Sequence, residues 1–244
     1  MPDAREDAIY DDPALIPLYD VLNAANHDHD FYRREIPSWA EHVIDLGCGT
    51  GRFARDLARR GFIVTAVDPA PGMIDFAKRQ SGSDKVCWIT GTAADLPKEN
   101  AADAIVMMGH AFQCLLTDET TRDTFRQIRS SLRKGGRLLF ESRNPSVSPW
   151  SDWDGKQRIS LEALDDDVEI ERKVLAVDGA HVVFEEIFHL PGQKLSSQST
   201  LRFPDKAAIE EQLSGAGFSD IQVFGFWDRR PFAEDSPEII VSAA

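Results

Sequence analysis

Short apolar runs alternate with helical periodicity from residue 42 to 142. Runs near 43–46, 62–67, 85–90, 103–108 and 137–142 are dense in Val, Ile, Leu and Ala and predict buried strands. Between them, apolar residues return every three or four positions over 51–60, 71–80 and 118–133, the period of a helix with one face on a core. Strands alternating with helices predict an α/β fold with a doubly wound, mostly parallel sheet. Right-handed crossovers then collect the C-terminal strand ends along one edge, where ligands bind.

The flanks differ. Residues 1–12 are polar and read as frayed. Residues 13–36 carry Leu15, Leu18, Tyr19, Leu22, Phe31 and Tyr32 and read as a helical cap segment with an aromatic face. After Asn144-Pro145 a loop-like stretch leads to β-rich runs at 168–177 and 181–190, with Asp178-Gly179 between them, a hairpin signal. Residues 196–203 add a third strand, so 146–203 is expected to be an antiparallel insertion. A helix at 205–216, stopped by Gly217, and strands at 219–226 and 238–243 complete a seven-stranded main sheet. The expectation is a single domain over 1–244.

Candidate chemistry concentrates at one turn. Val43, Ile44 and Leu46 end a strand; Gly47, Gly49 and Gly51 follow, and then a helix begins. A strand, glycine turn and helix place backbone N–H groups around a ligand. Asp68, at the tip of the next strand, can accept hydrogen bonds from both ribose hydroxyls of a nucleoside-bearing cofactor. The dinucleotide fingerprint Gly-x-Gly-x-x-Gly is not met, because Arg52 stands where its third glycine would. Asp45, just before the turn, would repel a diphosphate but suits a ligand with ammonium and sulfonium groups. No Gly-Lys-Ser/Thr follows the glycines, which excludes a P-loop.

The stretch from Val43 to Lys78 resembles the first two motifs of class I S-adenosylmethionine-dependent methyltransferases, whose fold is Rossmann-like. Residues 91–97, 102–115, 132–145 and 213–223 resemble the motifs of the later strands. The resemblance implies S-adenosylmethionine as cofactor and S-adenosylhomocysteine as product. It implies a cofactor site of Asp45, Gly47, Gly49, Gly51, Asp68 and Pro69, with Met73 packed on adenine, although a place in the core of its helix explains Met73 equally well. It also implies that Asp95 accepts from the adenine amino group beside Ala94 and Leu96. The backbone at Met107 and Gly109 would then meet the cofactor's ammonium group. Tyr19 and Tyr32 are candidates for closing the N-terminal segment over the cofactor, although packing alone explains them nearly as well.

Methyl transfer from a sulfonium needs alignment of an acceptor and, where its pKa demands, a base. His110 is the candidate base, although pairing with a nearby carboxylate explains it as well. Glu141 and Arg143 are candidates for holding the acceptor. Trp150 and Trp153 either line an acceptor pocket or anchor the insertion. The Asn/Asp-Pro-Pro-Tyr/Phe motif of amide methylases and the Pro-Cys nucleophile of cytosine methylases are absent, so a small molecule methylated at N or O is expected. The alternatives are a non-catalytic protein that binds the same cofactor and, disfavoured by Arg52 and Asp45, an NAD-linked oxidoreductase.

A formal net charge of −14 argues against nucleic-acid substrates and favours a neutral or cationic acceptor. No run approaches the roughly 20 apolar residues of a membrane span, no signal peptide is read, and three scattered cysteines fit reduced cytoplasmic thiols. No metal site is expected, and the chain is read as a monomer or homodimer.

Overall fold

The computed structural model describes residues 5–23, 27–98, 101–161 and 166–244. Its strands are β1 (Arg5–Glu6), β2 (His42–Leu46), β3 (Ile63–Asp68), β4 (Val86–Thr90), β5 (Ala102–Met107), β6 (Leu132–Arg143), β7 (Gly155–Leu161), β8 (Asp166–Asp178), β9 (His181–Leu190), β10 (Gln193–Arg202), β11 (Ile221–Phe224) and β12 (Glu238–Ala243). The helices are α1 (Ala8–Asp11), α2 (Ile16–Leu22), α3 (His27–Glu35), α4 (Arg52–Arg59), α5 (Pro71–Lys78), α6 (Asp118–Ser131) and α7 (Lys206–Gly215).

The main sheet has seven strands in the order β11-β12-β6-β5-β2-β3-β4. Every pairing from β6 to β4 is parallel, while β12 runs antiparallel to both β6 and β11. Strand β5 is buried along its whole length, so it shows no polar alternation. One face of the sheet packs Ile44, Ile105, Leu138 and Phe140 against Phe125 and Ile128 of α6 and Ile209 and Leu213 of α7. The other packs Val43, Ala104, Val106 and Leu139 against Phe31 and Tyr32 of α3 and Phe53 and Leu57 of α4. Chain order reverses direction across the sheet at the β2–β5 pair, and their C-terminal ends form the crevice where ligands of doubly wound sheets sit.

The second sheet has five strands in the order β1-β10-β9-β8-β7. Strand β9 alternates buried and half-buried positions, the mark of a sheet with one face on a core. Its buried Phe188, with Val168 and Ile170 of β8, packs against Ala8, Ile9, Leu15 and Leu18. Residues 5–11 are therefore not frayed. Strand β1 pairs parallel with β10, Ile9 donates its backbone N–H to Ser197 Oγ at 3.0 Å, and Ala8 and Ile9 are buried. A short polar sequence conceals this, because its partners lie near the other end of the chain.

One further difference concerns β6. It starts at Leu132, directly after α6, and pairs with β5 as Ala102↔Leu132 and then Ala104↔Arg137. The shift in register absorbs Gly135-Gly136, with Gly135 at φ 80°.

Candidate functional site

The glycine turn after β2 is left-handed at all three glycines, with φ of 76°, 52° and 73° at Gly47, Gly49 and Gly51. Space forbids larger side chains at two of them. A Cβ on Gly47 would lie 2.6 Å from Ala111 Cβ, and one on Gly51 would lie 2.2 Å from the Trp88 ring. The amides of this turn are spent on the next strand. Gly47 and Cys48 donate to the Val67 carbonyl at 2.8 and 3.1 Å, and Gly49 donates to Asp68 Oδ2 at 2.8 Å. The expected cradle of free N–H groups is thus not built. The loop lends the ligand its bare Cα surface, not its donors.

Asp68 is fixed by that bond and by the Ala70 N–H on Oδ1 at 2.9 Å. Burial raises its pKa, while the Ala70 and Gly49 bonds pull it down. Beside it, Asp45 is buried and pushed up to about 7, first by burial and then by the Asp68 charge; a backbone bond from Ala54, at the start of α4, opposes this. The two carboxyls face the same turn without a cation between them.

A cavity of about 390 Å³ opens at these strand ends, within the range of small-molecule sites. Gly47, Gly49, Asp68, Pro69, Met107 and Gly109 all line it, as expected of cofactor-binding residues. Tyr19 lines it too, and also lines both adjoining compartments. One of these, about 80 Å³, contains Asp45, Gly47, Gly49 and Gly109. The other, about 110 Å³, lies under the second sheet and contains His110, Arg143, Trp153, Arg172 and Glu186.

Several expected residues lie elsewhere. Gly51 backs onto Trp88 and shapes the turn from behind. Met73 is buried in α5 and does not line the cavity; Ala70, at the N-cap of that helix, does. Thr92 and Ala93 line the cavity in place of Ala94, Asp95 and Leu96. Asp95 is turned back into a capping box, accepting the Thr92 N–H at 2.9 Å, and Leu96 is buried in the core. Tyr32 does not close over the cavity. It is fully buried among Phe31, Phe53 and Trp227, and its hydroxyl donates to Glu141.

Glu141 likewise lines none of these cavities. It is 1% exposed and also accepts the His110 N–H at 2.7 Å. Burial is the main cause that pushes its carboxyl up to about 7. It ties α3 to the turn after β5 from inside the core.

His110 has φ 61° and directs Nε2 at Glu238 Oε2, 3.1 Å away. Burial, followed by the Arg143 charge, pushes it down to about 3. The pair is therefore a hydrogen bond from a neutral imidazole and not an ion pair, and a ring held so low is a weak proton acceptor. Arg143 does line the smaller compartment, donating to Gln113 Oε1 at 2.9 Å and lying over the Trp153 ring at 5.5 Å. The tryptophans divide. Trp153 lines the compartment, while Trp150 packs on Phe203 as an anchor.

Sequence reading missed Tyr10, Thr92 and Arg172. Tyr10 stands between the larger and smaller cavities, edge-on to Tyr19 with ring centroids 5.9 Å apart. Its signal was present as an isolated tyrosine in an otherwise polar segment. For Thr92, the Thr-x-x-Asp spacing of 92–95 was the signal, since it writes a capping box that occupies Asp95.

Residues 43–136 match a family model described as a methyltransferase domain. A putative methyltransferase of Geobacillus sp. (strain WCH70) is 29% identical over 129 residues, 50% of this chain and 52% of that protein. The chain thus spans about half the length of the curated relatives it matches. A S-adenosylmethionine-dependent methyltransferase from Clostridium acetobutylicum superposes with a TM-score of 0.75 at 15% identity, over 93% of this chain and 95% of that one. An amino pentose methyltransferase from Micromonospora echinaspora gives 0.69 at 20% identity, over 93% and 96%. The match to a methyltransferase domain thus covers residues 43–136, and the chain as a whole has the fold of these solved S-adenosylmethionine-dependent methyltransferases.

Proposed function

We propose that the protein is a S-adenosylmethionine-dependent methyltransferase that methylates a nitrogen or oxygen of a small molecule, leaving S-adenosylhomocysteine. The observation that carries this reading is the turn itself. The Gly47, Cys48 and Gly49 amides bond to β3 and Asp68, so they do not cradle a diphosphate, and the carboxyls of Asp45 and Asp68 flank the turn. Such a site favours an uncharged nucleoside joined to a cationic tail over a dinucleotide.

When bound, S-adenosylmethionine supplies an electrophilic methyl group on a positively charged sulfur. Asp68 accepts from ribose hydroxyls with the lone pairs that Gly49 and Ala70 leave free. Asp45 faces the compartment suited to the ammonium end. Tyr19, shared by all three compartments, separates cofactor from acceptor and excludes water. The acceptor enters the compartment under the second sheet, and proximity and alignment supply the catalysis. A second compartment that shares Tyr10, Tyr19, Gly109 and Cys114 with the first favours an enzyme over a protein that only binds the cofactor. The amino pentose methyltransferase with a similar fold supports a small acceptor, and the net charge of −14 supports one that is not nucleic acid. No helix among the described residues is long and apolar enough to cross a membrane. We place the protein in the cytoplasm as a monomer or homodimer.

Thermal unfolding with S-adenosylmethionine, S-adenosylhomocysteine and NAD in parallel tests the cofactor. A ligand at about 100 times its dissociation constant adds roughly 2.7 kcal/mol. The two adenosyl-sulfur ligands are expected to raise the midpoint and NAD is not; a shift with NAD alone would refute the reading.

His110 then acts by position and not as a base. Its ring is expected to stay neutral across the physiological range, because it is held at about 3. An NMR titration of the His110 ring checks this. A midpoint near the ordinary value of 6.5 would restore the base assignment.

A further inference from the structure

The smaller compartment holds a largely buried cation, Arg143, that forms no salt bridge among the described residues, although Glu238 and Glu141 act on it through space. Two guanidiniums flank Trp153, that of Arg143 at 5.5 Å and that of Arg172 at 5.8 Å from the ring centroid. They differ in their partners. Arg172 donates from both Nε and Nη2 to Glu186 Oε1, at 2.9 and 2.6 Å, so its charge is met. Arg143 donates to the neutral amide oxygen of Gln113. Among the described residues no carboxylate lies within ion-pair distance of it. Glu141 is occupied by Tyr32 and the His110 N–H, and Glu238 engages the His110 ring. Both act on Arg143 only through space, and burial depresses its pKa.

A guanidinium has five N–H donors in a planar fork, of which Gln113 takes one. Burying such a group without an anion is costly, and a fork of this shape matches a carboxylate with paired bonds. Trp153 holds the plane of the fork, which limits the freedom to be lost on binding. The remaining walls mix the apolar or aromatic Ile9, Tyr10, Phe184 and Leu201 with the polar Asn23, His110 and Ser199. About 110 Å³ is room for a few heavy atoms at the anchored end of a small molecule. Glu186 on the same wall opposes a doubly charged phosphate.

Resting on the methyltransferase reading, we infer that the acceptor carries a carboxylate, which Arg143 anchors in the compartment under the second sheet while a different atom receives the methyl group. The local charge thereby overrides what the acidity of the whole chain implies about the acceptor. A carboxylate neutralised in this fork is a poor nucleophile, which is why it serves as the handle. Arg143 is a specificity-determining residue, and Gln113 and Trp153 position it.

The test uses the full chain loaded with S-adenosylhomocysteine and small acids paired with their primary amides: propionate with propionamide, benzoate with benzamide. Thermal unfolding and calorimetry are expected to show the acids binding and the amides at least about tenfold weaker. Arg143→Met is expected to erase that preference while its affinity for S-adenosylhomocysteine stays within about twofold. Arg126→Met, at an exposed residue paired with Asp123, is expected to keep the preference. Acids and amides that bind alike, or that both fail to bind, overturn the inference, as does an Arg143→Met protein that still prefers acids. If Arg143→Met does not fold, the wild-type comparison and Arg143→Lys decide. Lys keeps the charge without the fork, and undiminished discrimination there also counts against a fork-bound carboxylate. Failure of S-adenosylhomocysteine to bind the wild type refutes the cofactor reading instead, so the two failures are distinct.

Discussion

Asp68→Ala is expected to weaken S-adenosylhomocysteine binding by about 100-fold or more, with little change in the stability of the unliganded protein. The affinity follows from the number of bonds at stake. A hydrogen bond to a charged group contributes roughly 1.5–3 kcal/mol, and Asp68 offers two to the ribose hydroxyls. The variant also frees the Gly49 and Ala70 amides that the carboxylate holds, so the glycine turn loosens where the ligand must lie. The small effect on stability follows from opposition between two terms. Losing two acceptors destabilises, whereas removing a carboxylate whose pKa burial has raised relieves a cost of similar size. Asp68→Asn keeps the shape and one acceptor and should fall between. Calorimetric titration and thermal unfolding of both variants check this, and binding unchanged in Asp68→Ala would exclude ribose recognition there.

Asp45→Asn should show opposite effects on the free and the bound protein. A carboxyl whose folded pKa lies at about 7, above its unfolded value of 3.8, is more protonated folded than unfolded between those limits. Its contribution to stability is therefore complete below about pH 4 and is lost as pH rises through 7. At pH 9 the ionised side chain costs on the order of 4 kcal/mol, which outweighs the ~0.3–1 kcal/mol that a carboxylate contributes at the start of α4. The unliganded variant should thus unfold several degrees higher than wild type at pH 9, at roughly 2–4 °C per kcal/mol, and show little gain at pH 4. Ligand binding reverses the sign. An ammonium group prefers the ionised carboxylate, so wild-type affinity for S-adenosylhomocysteine should fall as pH drops below 7. The variant should bind weakly at every pH and without that dependence. Methylthioadenosine, which lacks the ammonium, should show no such dependence even with the wild type. Equal pH profiles for the two ligands would separate Asp45 from the cofactor's charged end.

Local grammar made the glycine turn, Asp45 and Asp68 legible in the sequence. A strand end, glycines at fixed offsets and an acidic strand tip are all specified within a few residues. The parallel order of the sheet followed from the same alternation of periods. The direction in which a side chain faces was much less legible. Phe31 and Tyr32 are neighbours in α3 and both are buried, so periodicity could not say that Tyr32 turns to Glu141 and away from the cavity. Glu141 and Arg143 share one side of β6, yet one is sealed in the core and the other opens on a compartment. That difference depends on α3 covering the first and not the second. Tyr10 and Arg172 were missed because the second sheet brings residues 8–22 and 155–202 together, and no local pattern records such a pairing.

The irregular start of β6 carries a consequence for how such a protein changes its substrate. Leu132 to Arg137 spans what Ala102 to Ala104 spans on the neighbouring strand, and this slack sets the phase of all that follows. Because side chains alternate strictly along a strand, gaining or losing one residue at Gly135-Gly136 would rotate positions 138–143 by half a turn. Arg143 would leave the compartment, and its neighbour Ser142 (on a gain) or Asn144 (on a loss) would face it. A single codon inserted or deleted far from the cavity could therefore exchange a charged wall for a neutral one in one evolutionary step, with Gly47, Gly49 and Asp68 untouched on their own strands. On the proposed methyltransferase reading, the same site would offer protein engineers a length-based control over acceptor choice that point substitution inside the cavity does not provide.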